Sequence, residues 1–444
     1  MRIFNYLILA LEICYSQNSL SFSTSDGPKV LDSLQNLLNK NNILSGSYKL
    51  DSYNHLNNKI NYKYYDEIKI VDTVLVNGLN QITGKIKERL IKPYKSIPLG
   101  EDYEKIGVKI MSENYFINQK PIHTFGLTKN KMLGAIITFK PDFQSHFSGN
   151  IGFSKRDDFF QFNGEINVHM ENLTKSTGTF DVNWKKIETP TQHISFNIYE
   201  PYMLGSNLGI IFFYYRGIYN GLYTNLENKL KFEVSSSKYS NFNFGFLRGS
   251  TTPTKEGISK NYAGVRYEGF SISFDKNLLN NRLLPTSGRL ISFEGDFGLN
   301  DNIIFTDLSL YYNNYFLITK SLYSKIKFNA EGLNVLIDKV PKSRYKNYGG
   351  SSTLRGYNDN QFMNTQFSIS TIELSYILSS TLHPFLFLDL ASKNFNVFED
   401  TFIGYGFGFK NNNKNILLNF SYAFSKEKIL FSEGVLHMKV ISKF

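Results

Sequence analysis

Cysteine is nearly absent from this 444-residue chain: the single residue, Cys14, rules out an internal disulfide and any cysteine-built metal site. Proline is scarce, at 11, which leaves long stretches able to donate every backbone N–H to a sheet ladder. Long apolar runs are missing as well. The longest clear candidate, IIFFYY at 210–215, falls far short of the roughly 18–20 residues that a membrane helix needs. If the chain crosses a membrane it must therefore do so as a closed β-barrel, the other form that satisfies every backbone polar group internally. The 7 histidines, at 55, 123, 146, 169, 193, 383 and 437, are dispersed and show no H-x-x-x-H spacing, so no metal is expected. GYGFGFK at 404–410 has the glycines of a phosphate loop, but they alternate with aromatics and no helix follows. It reads as a strand with one face of small residues. Neither a nucleophile elbow nor a paired-carboxylate arrangement stands in a suitable context, and the expectation is no enzyme and no cofactor.

What the chain has in excess is aromatic residues and positive charge. Phe (39) and Tyr (29) bring the aromatic share to 16%, and with so little proline that composition favours strands over helices. The formal net charge is +11. The lysines are spread along the chain, often at every second position among Asn and Ser, with no dense basic tract and no nucleic-acid motif. They read as a solvated lumen and loops, and no nucleic-acid partner is expected.

Periodicity divides the chain into three regions after an opening segment. Residues 1–18 carry Arg2 and an apolar run over about 3–10, which resembles a secretory signal peptide. From 19 to 68, Gly27-Pro28 opens a helix with Val30, Leu31, Leu34, Leu37 and Leu38 on one face. Two alternating runs follow, giving helix, strand, strand. From 69 to 142 the pattern is strand, helix, helix, strand, strand. Ile86, Leu90, Ile91 and Tyr94 line the first helix, and Tyr103, Ile106, Ile110, Met111 and Tyr115 the second. The earlier region looks like a shortened copy of this small α/β module.

From 143 to 444 helical patterns give way to alternation. In FQFNGEINVHM, Phe160, Phe162, Gly164, Ile166, Val168 and Met170 share one face, while Gln161, Asn163, Glu165, Asn167 and His169 share the other. Phe180, Val182 and Trp184 likewise oppose Asp181, Asn183 and Lys185, and Ile326 and Phe328 oppose Lys325, Lys327 and Asn329. Two-faced segments of roughly ten residues separated by turn residues are the signature of an outer-membrane barrel. About 16 such segments fit, from 146–155 to 433–444, an even number that brings both barrel ends to the same side. The longest connection, about 334–364, joins the eleventh to the twelfth and contains GGSSTLRGYNDNQF.

That run resembles the arginine-glycine-aromatic motif in the sixth loop of the BamA/TamA superfamily, barrels that insert other barrels or move polypeptides across outer membranes. The small α/β modules resemble the POTRA domains that precede those barrels, and NIYEPYMLGSNLG and NRLLPTSGRL are also similar to the family. The resemblance implies a mainly β fold: an antiparallel transmembrane barrel of about 16 strands (143–444), preceded by a partial POTRA-like module (19–68) and a POTRA domain (69–142). It also implies that the loop motif, Leu354, Arg355, Gly356 and Tyr357, folds back into the barrel, where acidic wall residues hold Arg355. Glu373 and Asp389 match in order and context. Parity puts Glu373 opposite Ile372, Leu374 and Tyr376, hence in the lumen, whereas Asp389 shares its face with Phe385 and Phe387. The final strand, with Leu436, Met438, Val440 and Phe444 on one face, is similar to the terminal strand signal of outer-membrane proteins. Ser442 stands where that signal usually has a second aromatic.

The function implied by the resemblance is assembly of outer-membrane barrels at a seam between the first and last strands. Its partners would be unfolded outer-membrane protein clients, the lipid bilayer, and accessory lipoproteins or an inner-membrane partner, with the modules in the periplasm. A two-partner-type polypeptide secretion pore and a mitochondrial sorting-and-assembly barrel share much of the pattern. A diffusion porin shares the barrel alone.

Overall fold

The computed structural model describes residues 19–23, 27–40, 46–66, 70–95, 97, 101–128, 132–156, 159–188, 190–203, 206, 208–236, 240–395, 401–427 and 430–444. The expected signal segment 1–18, with Cys14, and the side-chain faces assigned to Leu37, Phe160, Gln161, Phe162 and Asn163 lie outside the described residues. The chain forms two compact units that divide after Asp142.

The first unit contains two three-stranded sheets. One is built from β1 (Ser19–Ser23), helix α1 (Gly27–Lys40), β2 (Gly46–Asn54) and β3 (Lys59–Asp66), with β3 central and antiparallel to both neighbours. Leu34 and Leu38, four apart on one helical face, pack onto Tyr48 and Tyr62 of the sheet. The other is built from β4 (Thr73–Asn77), α2 (Gly84–Ile91), α3 (Glu101–Glu113), β5 (Ile122–Leu127) and β6 (Leu133–Thr138). Here the central β6 runs parallel to β4 and antiparallel to β5.

The two sheets differ for a simple reason of chain direction. One helix carries the chain back once, so β2 runs parallel to β1; two helices reverse it twice, so β5 runs opposite to β4. The first module is therefore more than a shortened copy, because dropping one helix turns its first strand round. That strand, SLSFS, is too short and polar to register as a period. Pro93 also sets a boundary: its ring cannot continue α2, and Tyr94 falls on a 3₁₀ turn, Lys92–Tyr94, rather than on the helix itself. Tyr115 likewise lies just past α3. The Tyr103 hydroxyl donates to the Tyr94 carbonyl at 2.9 Å, and both rings are buried. Burial pushes the Tyr103 hydroxyl up to about 12 and holds the His123 imidazole beside it below its ordinary value.

The second unit is a closed antiparallel barrel of sixteen strands. Its first six are β7 (His146–Arg156), β8 (Phe159–Glu171), β9 (Thr179–Glu188), β10 (Thr191–Glu200), β11 (Leu208–Tyr219) and β12 (Tyr223–Ser236). Next come β13 (Ser240–Pro253), β14 (Val265–Asn277), β15 (Gly288–Asn300), β16 (Ile303–Leu317) and β17 (Leu322–Val335). A long loop with its own short hairpin, β18 (Lys346–Tyr348) and β19 (Phe362–Asn364), intervenes. The last five are β20 (Gln366–Tyr376), β21 (Leu382–Ser392), β22 (Phe402–Asn413), β23 (Ile416–Ser425) and β24 (Val435–Lys443). Each falls on one of the alternating segments expected from the sequence.

Alternation sorts the side chains to two faces. On β20, Ile372, Leu374 and Tyr376 are exposed on the outer surface while Thr371, Glu373 and Ser375 are buried inside. On β13, Phe242, Phe244 and Phe246 point outward. A continuous outer surface of this kind is what a barrel presents to lipid. The lumen departs from the expected purely polar face. Leu247, Val265, Tyr267, Phe305, Leu333 and Val335 point inward and form one buried cluster. Val340 and Arg344 of the long loop pack onto that cluster and keep water from it, which allows apolar residues there.

Candidate functional site

The loop between β17 and β20 leaves the distal end of the barrel, the end opposite the start of β7, and turns back into the lumen. Leu354, Gly356 and Tyr357 of its motif are buried, and Arg355 is mostly so. Leu354 (0% exposed) and Tyr357 (3%) pack with Tyr348, Phe367, Ile369 and Ala391. Between them Arg355 reaches the wall formed by β20 and β21.

Arg355 meets Asp389 as a fork. Its Nε donates to Asp389 Oδ2 and its Nη2 to Oδ1, both at 2.8 Å, and its backbone N–H adds a third bond to Oδ2 at 3.1 Å. Thr371 donates to Oδ1 at 2.8 Å, so four donors satisfy this fully buried carboxylate. Glu373 lies farther away, with 3.5 Å between its Oε2 and Arg355 Nη1. At that distance the contact is chiefly Coulombic. Glu373 takes its direct bond from Lys410 of β22, and Lys325 stands 3.9 Å away. The guanidinium carbon Cζ also lies over the Phe387 ring, 3.5 Å from its centroid. That contact explains why lumen-facing position 387 carries an aromatic residue beside Asp389, and Phe385 on the same face lies 4.8 Å beneath Lys410 Nζ.

Small residues make room for the loop. Gly356 has φ +88°, and a Cβ there would stand 2.3 Å from the Phe424 carbonyl oxygen on β23. On β22, a Cβ at Gly404 would come within 1.9 Å of the Arg355 carbonyl oxygen, and those at Gly406 and Gly408 would strike the Phe387 and Phe385 rings. Of the glycine face of GYGFGFK, Gly404 thus receives the pinned loop, while Gly406 and Gly408 make room for the lumen-facing rings of β21.

Several partners escape a reading by motif. Lys410 has the parity of Gly404, Gly406 and Gly408, and Phe387 that of Asp389, so strand period alone could have flagged both. Arg344 could not be found that way. It stacks on Tyr267 at 3.8 Å and Phe305 at 4.5 Å and donates to Asn300 at 3.0 Å, while nearby Lys346 pairs with Asp307 at 2.7 Å. The tip of the loop borders a cavity of about 220 Å³ lined by Arg355, Glu373, Lys327 and Lys410, and by His437 and Lys439 of the last strand.

That cavity adjoins the joint where the barrel closes. β7 pairs with β8 over eleven positions, and β12 with β13 over fourteen. Among the described residues, β24 pairs with β7 over only five, from Lys443↔His146 to Lys439↔Asn150. Beyond Asn150 the pairing between the two strands ends: among the described residues, Ile151–Arg156 pair with β8 alone and Val435–Met438 with β23 alone. At the proximal end the Phe444 N–H donates to the Ser145 carbonyl at 3.1 Å. Met438, on the outer face of β24, and Phe444, just past its end, are exposed, and Val440 between them is half-buried.

No protein-family model matches the sequence, and a comparison with curated proteins finds no match. Solved structures do match by shape. BamA from Haemophilus ducreyi lacking POTRA domains 1–3 aligns with a TM-score of 0.58 at 14% identity, over 95% of this chain and 94% of that one. CdiB from Acinetobacter baumannii aligns at 0.56 and 12% identity, over 94% of this chain and 81% of that one. CdiB from Escherichia coli aligns at 0.56 and 10% identity, over 93% and 84%. At such identities the likeness is one of fold. The chain has the barrel fold common to BamA and CdiB, and shape does not favour one over the other.

Proposed function

We propose that this chain is an outer-membrane assembly factor that folds and inserts other β-barrel proteins at the seam between β7 and β24. The observation that carries the reading is the forked seam. Proteins normally suppress an unpaired strand edge because it templates further pairing, yet here β7 keeps such an edge over Ile151–Arg156. A client strand would add to it through main-chain hydrogen bonds. The apolar outer surface suits a bilayer, and the α/β modules, 19–68 and 69–142, would face the periplasm and offer sheet edges to unfolded clients. Accessory lipoproteins or an inner-membrane partner would dock on that side.

In this scheme Arg355 is a structural pin with no chemistry of its own. Held by Asp389 and Glu373, it fixes the loop within the lumen and so preserves the interior shape beside the seam. Client folding supplies the free energy, and the machine lowers the kinetic barrier. Met438, Val440 and Phe444 would serve as the signal by which this barrel is itself inserted.

The test is to place cysteines at the register partners Ser148 and Ile441. Oxidation should abolish insertion of a client barrel into vesicles containing the full chain, and reduction should restore it. Undiminished insertion through the locked seam would refute the mechanism. Passage of soluble polypeptide without client folding would support the secretion-pore reading instead.

A further inference from the structure

The pinned loop touches both banks of the seam. On the side of the last strands, the Arg355 carbonyl rests on Gly404 of β22, Gly356 rests on the backbone at Phe424 and Ser425 of β23, and the Tyr357 hydroxyl donates to the Ile403 carbonyl at 3.3 Å. On the side of the first strands, Asn150 Nδ2 of β7 donates to Ser351 Oγ at 2.9 Å. Lys185 Nζ of β9 donates to Asp359 Oδ1 at 3.2 Å. Asn150 is the last residue of β7 in register with β24, so the loop grips that bank where the pairing gives out.

Both grips are built into the loop. Lys185 and Asp359 are mostly buried, at 11% and 15% exposure. Gly350 has φ +89°, and a Cβ there would lie 1.8 Å from Asp359 Oδ1, so its bareness is what admits the carboxylate. Gly350, the second glycine of GGSSTLRGYNDNQF, thus serves the far bank, as Gly356 serves the near one.

The holds are unequal. Arg355 has three bonds to one buried carboxylate and a ring beneath it. The opposite bank has one neutral hydrogen bond and one ion pair, whose lysine also stands 3.8 Å from Glu165 of β8 as an alternative partner. Charge-assisted, multidentate bonds are the stronger class, so separation of the banks breaks the weaker holds first.

We propose that Ser351 and Asp359 form an inner clasp across the seam, holding Asn150 and Lys185 against the pinned loop and releasing them when β7 and β24 part. The loop then stays with β20–β23. The clasp deepens the assembly role and rests on that reading for its purpose, since a seam that never opens needs no release.

The test measures backbone hydrogen exchange on the full chain in lipid vesicles. Combining Ser351→Ala with Lys185→Met should speed exchange at 148–150 and 439–441 by about fivefold to tenfold, the effect of losing one or two modest hydrogen bonds. Exchange in β20 and β21 should stay unchanged. Ser351→Ala alone should act in the same direction, and Lys185→Arg, which keeps the ion pair, should behave as the parent chain. Unchanged seam exchange in the double variant would overturn the clasp. Equal acceleration in β20 and β21 would also overturn it, because that means general loosening. If the seam loosens selectively while client insertion stays the same, the clasp stands and the assembly reading falls.

Discussion

Arg355 and Asp389 are buried together, and this fixes what their replacement does. Removing one member of such a pair leaves an uncompensated charge, at a cost of about 3–5 kcal/mol. Arg355→Ala should therefore free the loop, so that limited proteolysis cuts 336–361 readily while the barrel strands stay protected. Arg355→Lys should give the same pattern more weakly, because an ammonium group lacks the planar fork that spans both Asp389 oxygens. Gly404→Val offers an independent route: it leaves every charge in place but drives a side chain into the Arg355 carbonyl. Equal protease resistance in that variant would mean that the loop does not rest on β22. The motif and both wall acids were legible through the family resemblance, by order and context, and parity supported Glu373 alone. The two acids divide their roles in a way the sequence does not reveal. Asp389 takes the fork, with the Arg355 backbone N–H and the Thr371 hydroxyl also donating to it, while Glu373 is taken up by Lys410. Lys185 and Asn150 were not legible at all. They lie 174 and 201 residues from their partners, among many polar residues of identical parity.

At the scale of elements, period carried most of the information. Helical spacing located α1, α2 and α3, and alternation located all sixteen barrel strands, because a two-faced barrel writes period 2 into every strand. Five-residue β1 left no such trace, and strand direction in the first module follows from helix number rather than local pattern. In the second module, burial of His123 gives a pH dependence of definite sign. Its folded pKa lies below the ordinary value of about 6.5, so on acidification the unfolded state takes up the proton first. The module should hold its full stability above that pH and lose stability as the pH falls below it, with the nearby Glu104 carboxylate offsetting part of the effect. Hydrogen exchange over 70–138 at pH 5 and pH 7.5 would measure this. His123→Phe should flatten the difference, and a difference that persists would place its origin elsewhere. In the barrel, seam-facing amides of Ile151–Arg156 should exchange faster than those of Ser148–Asn150, which have β24 as a partner.

For the molecule as a whole, the loop is braced inside the lumen at several points of the wall. Arg344 and Lys346 brace it against β14–β16, Arg355 against β20 and β21, and Tyr357 against β22. Planar-bilayer recordings of the intact chain should accordingly show little steady conductance, and deletion of 345–361 should produce a large, stable open state. A large open state in the intact chain would favour a diffusion porin. The closing ladder adds a mechanical consequence. Because pairing ends in a fork at Asn150 and Lys439, a pull at the distal end peels the strands. Shearing would load all five rungs at once, whereas peeling concentrates the load on one rung at a time. The opposing force is then set by the rung at the fork, however many lie behind it, and the proximal contacts between Phe444 and Ser145 act as a hinge.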